Sequence, residues 1–159
     1  MELITGRPED IVKWLFTQDR DKVFTISEFR RKRSLSANAY FHVLVDKIAE
    51  KMRLSHTEIH NRMIADYGYI EEEVNDILMD DEIPWEKVQL MHLRPTEDTH
   101  VLDNGKLYRR YNVMRGSHTY NSLEMAHLID GTVQEAKQHG IETLPPQELE
   151  RLKQTWDVK

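Results

Sequence analysis

Two stretches carry cations at spacings suited to gripping phosphate. The first is Arg30-Arg31-Lys32-Arg33, four consecutive positive charges, followed by Ser34-Leu35-Ser36-Ala37-Asn38. The second runs from Lys106 to Arg115 and interleaves Lys106, Arg109, Arg110 and Arg115 with Tyr108 and Tyr111. Guanidinium and ammonium groups neutralise phosphates, and tyrosine rings stack on unpaired bases, so the pairing suits single-stranded nucleic acid. Arg30, Arg31, Lys32, Arg33, Lys106, Tyr108, Arg109, Arg110 and Arg115 are therefore the candidate DNA-binding residues. A solvated basic turn, and an exposed strand whose tyrosines pack on a neighbour, are the plainer readings of the same stretches.

Other chemistry is less well served. From Asp66 to Glu86 there are nine acids and no Lys or Arg, and removing them turns the net charge of −6 into +3 for the remainder. Segregation of this kind matters more to a polyanion than the sum does. The tract reads as a solvated acidic helix, with Ile70, Val74, Ile77 and Leu78 at helical spacing. Clustered carboxylates can hold Mg²⁺ in nucleases, but that needs acids converging from different elements. His56 and His60 share a helix face at a spacing that can bind metal, yet no motif places a third ligand, so they read as surface histidines. Neighbouring Ser117 and His118 are no catalytic pair, because triad members converge in space. Phosphate-binding glycine loops and the nucleophile elbow are absent from the sequence, and without Cys there is no thiolate chemistry. The balance favours binding over catalysis, with no catalytic residue, metal or cofactor expected.

The elements that must position these residues follow from periodicity. A length of 159 residues suits one domain, 1–159, and a charged content of 31% suits a wet surface. No apolar run approaches the ~20 residues of a membrane span, and the N-terminus lacks the basic start and apolar centre of a signal peptide. The lack of Cys fits a reducing cytoplasm. Met1–Ile4 reads as a strand. Pro8 with Glu9 and Asp10 starts a helix burying Ile11, Val12, Leu15 and Phe16. Residues 22–29 read as a second strand, with Phe24 and Ile26 alternating against Thr25 and Ser27, so the chain is expected to open β-α-β.

The longest helix pattern starts near Ser36 and ends near Arg53, burying Tyr40, Phe41, Leu44, Val45, Ile48, Ala49 and Met52. Its N-terminus, which favours anions, lies at the mouth of the basic run. Ser55 and Glu58 form a capping box for a helix reaching Tyr67. Trp85–Arg94 reads as a strand, 95–104 as a loop ending in an Asn104-Gly105 turn, and 106–116 as a strand. Asn121 and Glu124 start a helix with Leu123, Ala126, Ile129, Val133 and Ala136 inward, closing on Gly140. Pro145-Pro146 opens a last helix carrying Leu149, Leu152 and Trp156. The expected class is α+β: a single domain with a small, partly antiparallel sheet covered by helices.

At Arg31-Lys32-Arg33-Ser34-Leu35-Ser36-Ala37-Asn38, leading into a long helix, the chain resembles the bacteriophage NinB family. That family carries a basic residue, Arg-Ser-Leu, two variable positions and Asn. A second similarity is the turn Arg115-Gly116-Ser117-His118-Thr119-Tyr120-Asn121 leading into a helix that closes at His139-Gly140-Ile141. The resemblance covers about two-thirds of the chain; 66–105 departs most, and Ala37 stands where the family often has Gln. It implies a homodimeric phage recombination protein in the cytoplasm of a bacterial host. Such a protein binds single-stranded DNA and helps load a recombinase onto strands coated by single-strand-binding protein, without cofactor or catalysis. It assigns Arg33 to phosphate, Ser34 to the helix cap, Leu35 to the core and Asn38 to the backbone of the turn. The alternatives are a metal-dependent phage nuclease using the acidic tract with His56, His60 and His118, and a protein-only adaptor that docks a basic partner on residues 66–86.

Overall fold

The three central helices of the computed structural model bury their apolar stripes against one another and leave one sheet on their flank. Residues 4–29 and 35–154 are described. The chain falls into two compact units, residues 1–30 and 31–159. The architecture is α+β, with five helices and one three-stranded sheet among the described residues.

In the first unit, helix α1 spans Pro8–Leu15, with Pro8 in its first turn and Glu9 and Asp10 where the helix dipole favours acids. The buried face expected of it does not form: no residue of α1 is buried, and Phe16 is 86% exposed. Nor do residues 22–29 form the second strand of a β-α-β opening. They run without ladder partners, and Val23, Ile26 and Phe29 are exposed. Their β-branched and aromatic content is a preference for a pleated, half-buried surface, and no described strand supplies one. Ile4 is outside any strand, and the rest of 1–4 lies outside the described residues.

The second unit contains the core. Helix α2, Leu35–Met52, buries Ala37, Phe41, Leu44, Val45, Ile48 and Ala49. It ends at Arg53 in the left-handed region (φ 58°) rather than at a glycine. Helix α3, His56–Tyr67, begins with the expected capping box: Ser55 Oγ accepts from Glu58 N–H, and Glu58 Oε2 accepts from Ser55 N–H. Helix α4, Ser122–Gln138, begins with a second box between Asn121 and Glu124. Its inward residues are Met125, Leu128, Ile129, Val133 and Ala136, while Leu123 is 79% exposed and faces away. Gly140 takes φ +70° just after α4, as a C′ glycine does. At Gly131, mid-helix, a Cβ would lie 2.2 Å from the Tyr67 ring, so α3 and α4 approach too closely there for any side chain. Helix α5, Pro146–Gln154, packs Leu149 and Leu152 onto this core; Trp156 lies outside the described residues.

The sheet is small and antiparallel, as the expected class has it, but two of its three strands lie elsewhere than expected. All its pairings are antiparallel, in the order β1-β3-β2. The acidic tract, expected as a helix, instead loops through 71–76 and enters strand β1, Ile77–Asp80. Ile77 and Met79 pack, at the period of two that a strand requires, on a small second cluster of Leu93, Tyr111 and Val113. Helical spacing and strand alternation are hard to separate over so short an apolar set. Strand β2 spans His92–Val101, later than the expected 85–94, and Trp85–Lys87 is a 3₁₀ turn. Pro95, which suggested a loop, sits in β2 where the strand lies at the sheet edge and its register shifts. β3, Leu107–Met114, follows a tight turn in which Gly105 adopts φ +77°.

Candidate functional site

The basic run Arg30–Arg33, with Ser34, lies outside the described residues. Leu35 is the first residue of α2, and Asn38 is half-buried in its first turn. No acid occupies that turn, so nothing within it offsets the positive end of the helix dipole.

The cations of the second stretch are all engaged. Because β1 pairs antiparallel with β3, with Met79 opposite Arg109 and Asp80 opposite Tyr108, the acidic tract runs directly beside the basic strand. Arg109 donates from Nε to Asp81 Oδ1 (2.7 Å) and from an Nη to Thr96 O (2.7 Å). The Asp81 carboxylate raises the pKa of Arg109 above its ordinary value. Arg110 donates to Asp98 Oδ2 (2.9 Å), and this bond, with His100 beside it, holds the Asp98 carboxyl below its usual pKa. Lys106 reaches Asp80 Oδ2 at 3.4 Å. Tyr108 Oη accepts from the Asn104 amide. Successive strand residues point to opposite faces, so Tyr108 and Arg110 share one side and Arg109 takes the other.

Arg115 is a brace. It grips Glu124 with two bonds of 3.0 Å, donates to Thr119 O and Oγ1, and lies over the Tyr120 ring. Glu124 also closes the α4 capping box, so Arg115 fixes the start of α4. Arg94 does the same for the end of α3, donating to Ala65 O and Gly68 O, two carbonyls left without helical partners.

Sequence reasoning missed a cluster that the fold assembles. His42 from α2, His56 and His60 from α3, and His92 from β2 line an open pocket of about 480 Å³ with Thr57, Asn61, Val88 and Gln89. Ring centroids lie 5.3 Å apart for His42–His56, 5.6 Å for His42–His60, 5.8 Å for His56–His60 and 5.2 Å for His60–His92. Phe41 backs His42 and His60. Asp46 Oδ1 sits 2.5 Å from His56 Nδ1, and His42 Nδ1 faces His56 Nε2 at 3.3 Å. Asn61 is 2% exposed: it donates to Glu86 O and Val88 O, and its oxygen lies 2.9 Å from His92 Nδ1. Among the described residues no hydrogen bond reaches the His60 ring; burial, with the neighbouring histidines, pushes its pKa down to about 3. The signal in the sequence was the His56/His60 spacing. The partner histidines 14 and 32 residues away could be placed only by packing α2 and β2 on α3.

The acids do not converge in this way. Asp76 accepts from Asn112, and Asp80, Asp81 and Asp98 are tied to β3 cations. Among the described residues, no group of three or more His, Cys, Asp or Glu side chains could hold a metal ion. Nor is any described helix long and apolar enough to cross a membrane. Comparison of the chain with models of protein families finds no match, and comparisons with curated proteins and with solved structures find none either.

Proposed function

We propose that this chain is a single-stranded-DNA-binding protein of phage recombination, acting as a homodimer that helps load a recombinase onto strands coated by single-strand-binding protein. One observation carries the reading. Four consecutive cations lead, through the Arg33-Ser34-Leu35…Asn38 pattern of the NinB family, into an 18-residue helix whose first turn holds no acid. Phosphate gains there both from charge and from the positive end of the helix dipole. The pairing of the β3 cations with carboxylates favours Arg30–Arg33 as the main contact. Lys106 and Arg110, the more exposed of the strand cations, serve as secondary contacts. A magnesium nuclease finds less support, because Asp76, Asp80 and Asp81 of the acidic tract are tied to Asn112, Lys106 and Arg109.

The test is a fluorescence-anisotropy titration of labelled single- and double-stranded oligonucleotides, without metal, at several salt concentrations. Single-strand preference is expected, with a salt slope near −2 to −3, about 0.7 for each of three or four phosphates. No binding to either oligonucleotide at about 50 mM salt would contradict the reading and favour a protein-only adaptor.

A further inference from the structure

We infer that residues 22–29 are a pairing strand for a second copy of this chain, joined antiparallel about a two-fold axis at Thr25. This gives the proposed homodimer a surface and rests on that part of the reading; DNA takes no part in it. The first unit gains little from its own contacts. None of its described residues is buried, and Phe16, Val23, Ile26 and Phe29 are each more than half exposed. Units below about 40 residues need a disulfide, a metal or a partner, and the sequence has no cysteine. Among the described residues no backbone hydrogen bond involves 23–27, so a row of donors and acceptors stands ready for another strand.

The residues of the stretch are complementary to themselves. In an antiparallel ladder centred on Thr25, Lys22 faces the partner's Glu28, Val23 the partner's Ser27, Phe24 the partner's Ile26 and Thr25 the partner's Thr25, and the two-fold axis repeats each pair. Opposite charges then meet at both ends, and an aromatic residue meets a β-branched one on either side of the centre, pairings that stabilise a sheet. Sliding the register by one residue sets Val23 against the partner's Glu28, or Lys22 against the partner's Ser27, and the charge pairing is lost. Phe24 and Ile26 share one face of the ladder. Trp14 of α1 packs edge-on against Phe24, with ring centroids 5.2 Å apart, so the helix of each copy backs that face. A two-stranded ribbon is marginal without such a cover. The contact uses the same residues of both copies, so it closes at two.

The test is sedimentation of the full chain across a range of concentrations, joined to cysteine cross-linking. The parent is expected to sediment as a dimer. Ile26→Asp, at an exposed position, sets a carboxylate against Phe24 on both sides of the axis and raises the dimer dissociation constant at least about 30-fold. Thr25→Cys supplies the one thiol of a chain without cysteine. Directly opposed strand residues have Cα atoms about 4.5–5.5 Å apart, within the span of a disulfide, so mild oxidation yields a covalent dimer. The two copies of Val23→Cys lie four positions apart along the ladder, about 13 Å, and do not cross-link. A parent that is monomeric at every concentration would overturn both this surface and the homodimer. A dimer indifferent to Ile26→Asp would overturn this surface alone and leave the homodimer on another face. Cross-linking of Val23→Cys as readily as Thr25→Cys, or of neither, would overturn the register.

Discussion

The β1–β3 ladder and the histidine pocket handle charge in opposite ways. Along the ladder, Lys106, Arg109 and Arg110 each face a carboxylate, so a strand that is basic in sequence is close to neutral in space. In the pocket, four imidazoles from three elements crowd together, with the Asp46 carboxylate hydrogen-bonded to the His56 ring. A cation that already holds its counter-charge contributes little to a new anion, because phosphate must first displace the carboxylate. The difference teaches that a run of like charge along the chain says little until its neighbours across the sheet are known.

That contrast can be broken at several points. The largest effect is expected at Phe41, fully buried and backing both His42 and His60. Phe41→Ala should cost about 3–5 kcal/mol in chemical denaturation, and should loosen the pocket while leaving the ladder intact. Next comes Arg115, whose donors bind Glu124 and Thr119 in a largely enclosed setting. Arg115→Met should cost about 1.5–3 kcal/mol by leaving Glu124 half-buried without its partner. Arg110 belongs to an exposed pair, so Arg110→Ala should change stability by less than about 1 kcal/mol. A loss at Arg110 as large as that at Arg115 would mean the ladder pairs are structural throughout.

The smallest effect concerns pH. Hydrogen bonds from Ser55 hold the Glu58 carboxyl below the usual carboxylate range. A lowered acid contributes stability above its unfolded pKa, and that stability is lost as pH falls through the folded value. The loss in melting temperature caused by Ser55→Ala should therefore be full at neutral pH and shrink below about pH 4.

Helices α2 to α4 were legible because their signals are local: the apolar stripe from Phe41 to Ala49, the capping boxes at Ser55 and Asn121, and Gly140 beyond the last turn. The strand at 77–80 was hidden, because its four residues take their strand character from pairing with β3, far along the chain. The second strand, expected at 22–29 from β-branched and aromatic content and from alternation, does not form, because neither local signal supplies a partner strand. The candidate site divides in the same way. Arg30–Arg33 is visible as a run, whereas His42 and His92 acquire meaning only after α2 and β2 pack on α3. The pairing of Arg109 with Asp81 was equally beyond sequence reasoning, since it depends on the register of β1 on β3.

The most direct test of the account compares two variants in the same single-stranded-DNA titration across salt concentrations. Arg31→Ala/Lys32→Ala/Arg33→Ala should weaken binding strongly and lower the magnitude of the salt slope by about 2, whereas Arg109→Ala/Arg110→Ala should leave the slope within about one contact of the parent. If the strand variant loses the slope and the triple variant keeps it, the basic run is ordinary surface and the phosphate contacts lie on β3.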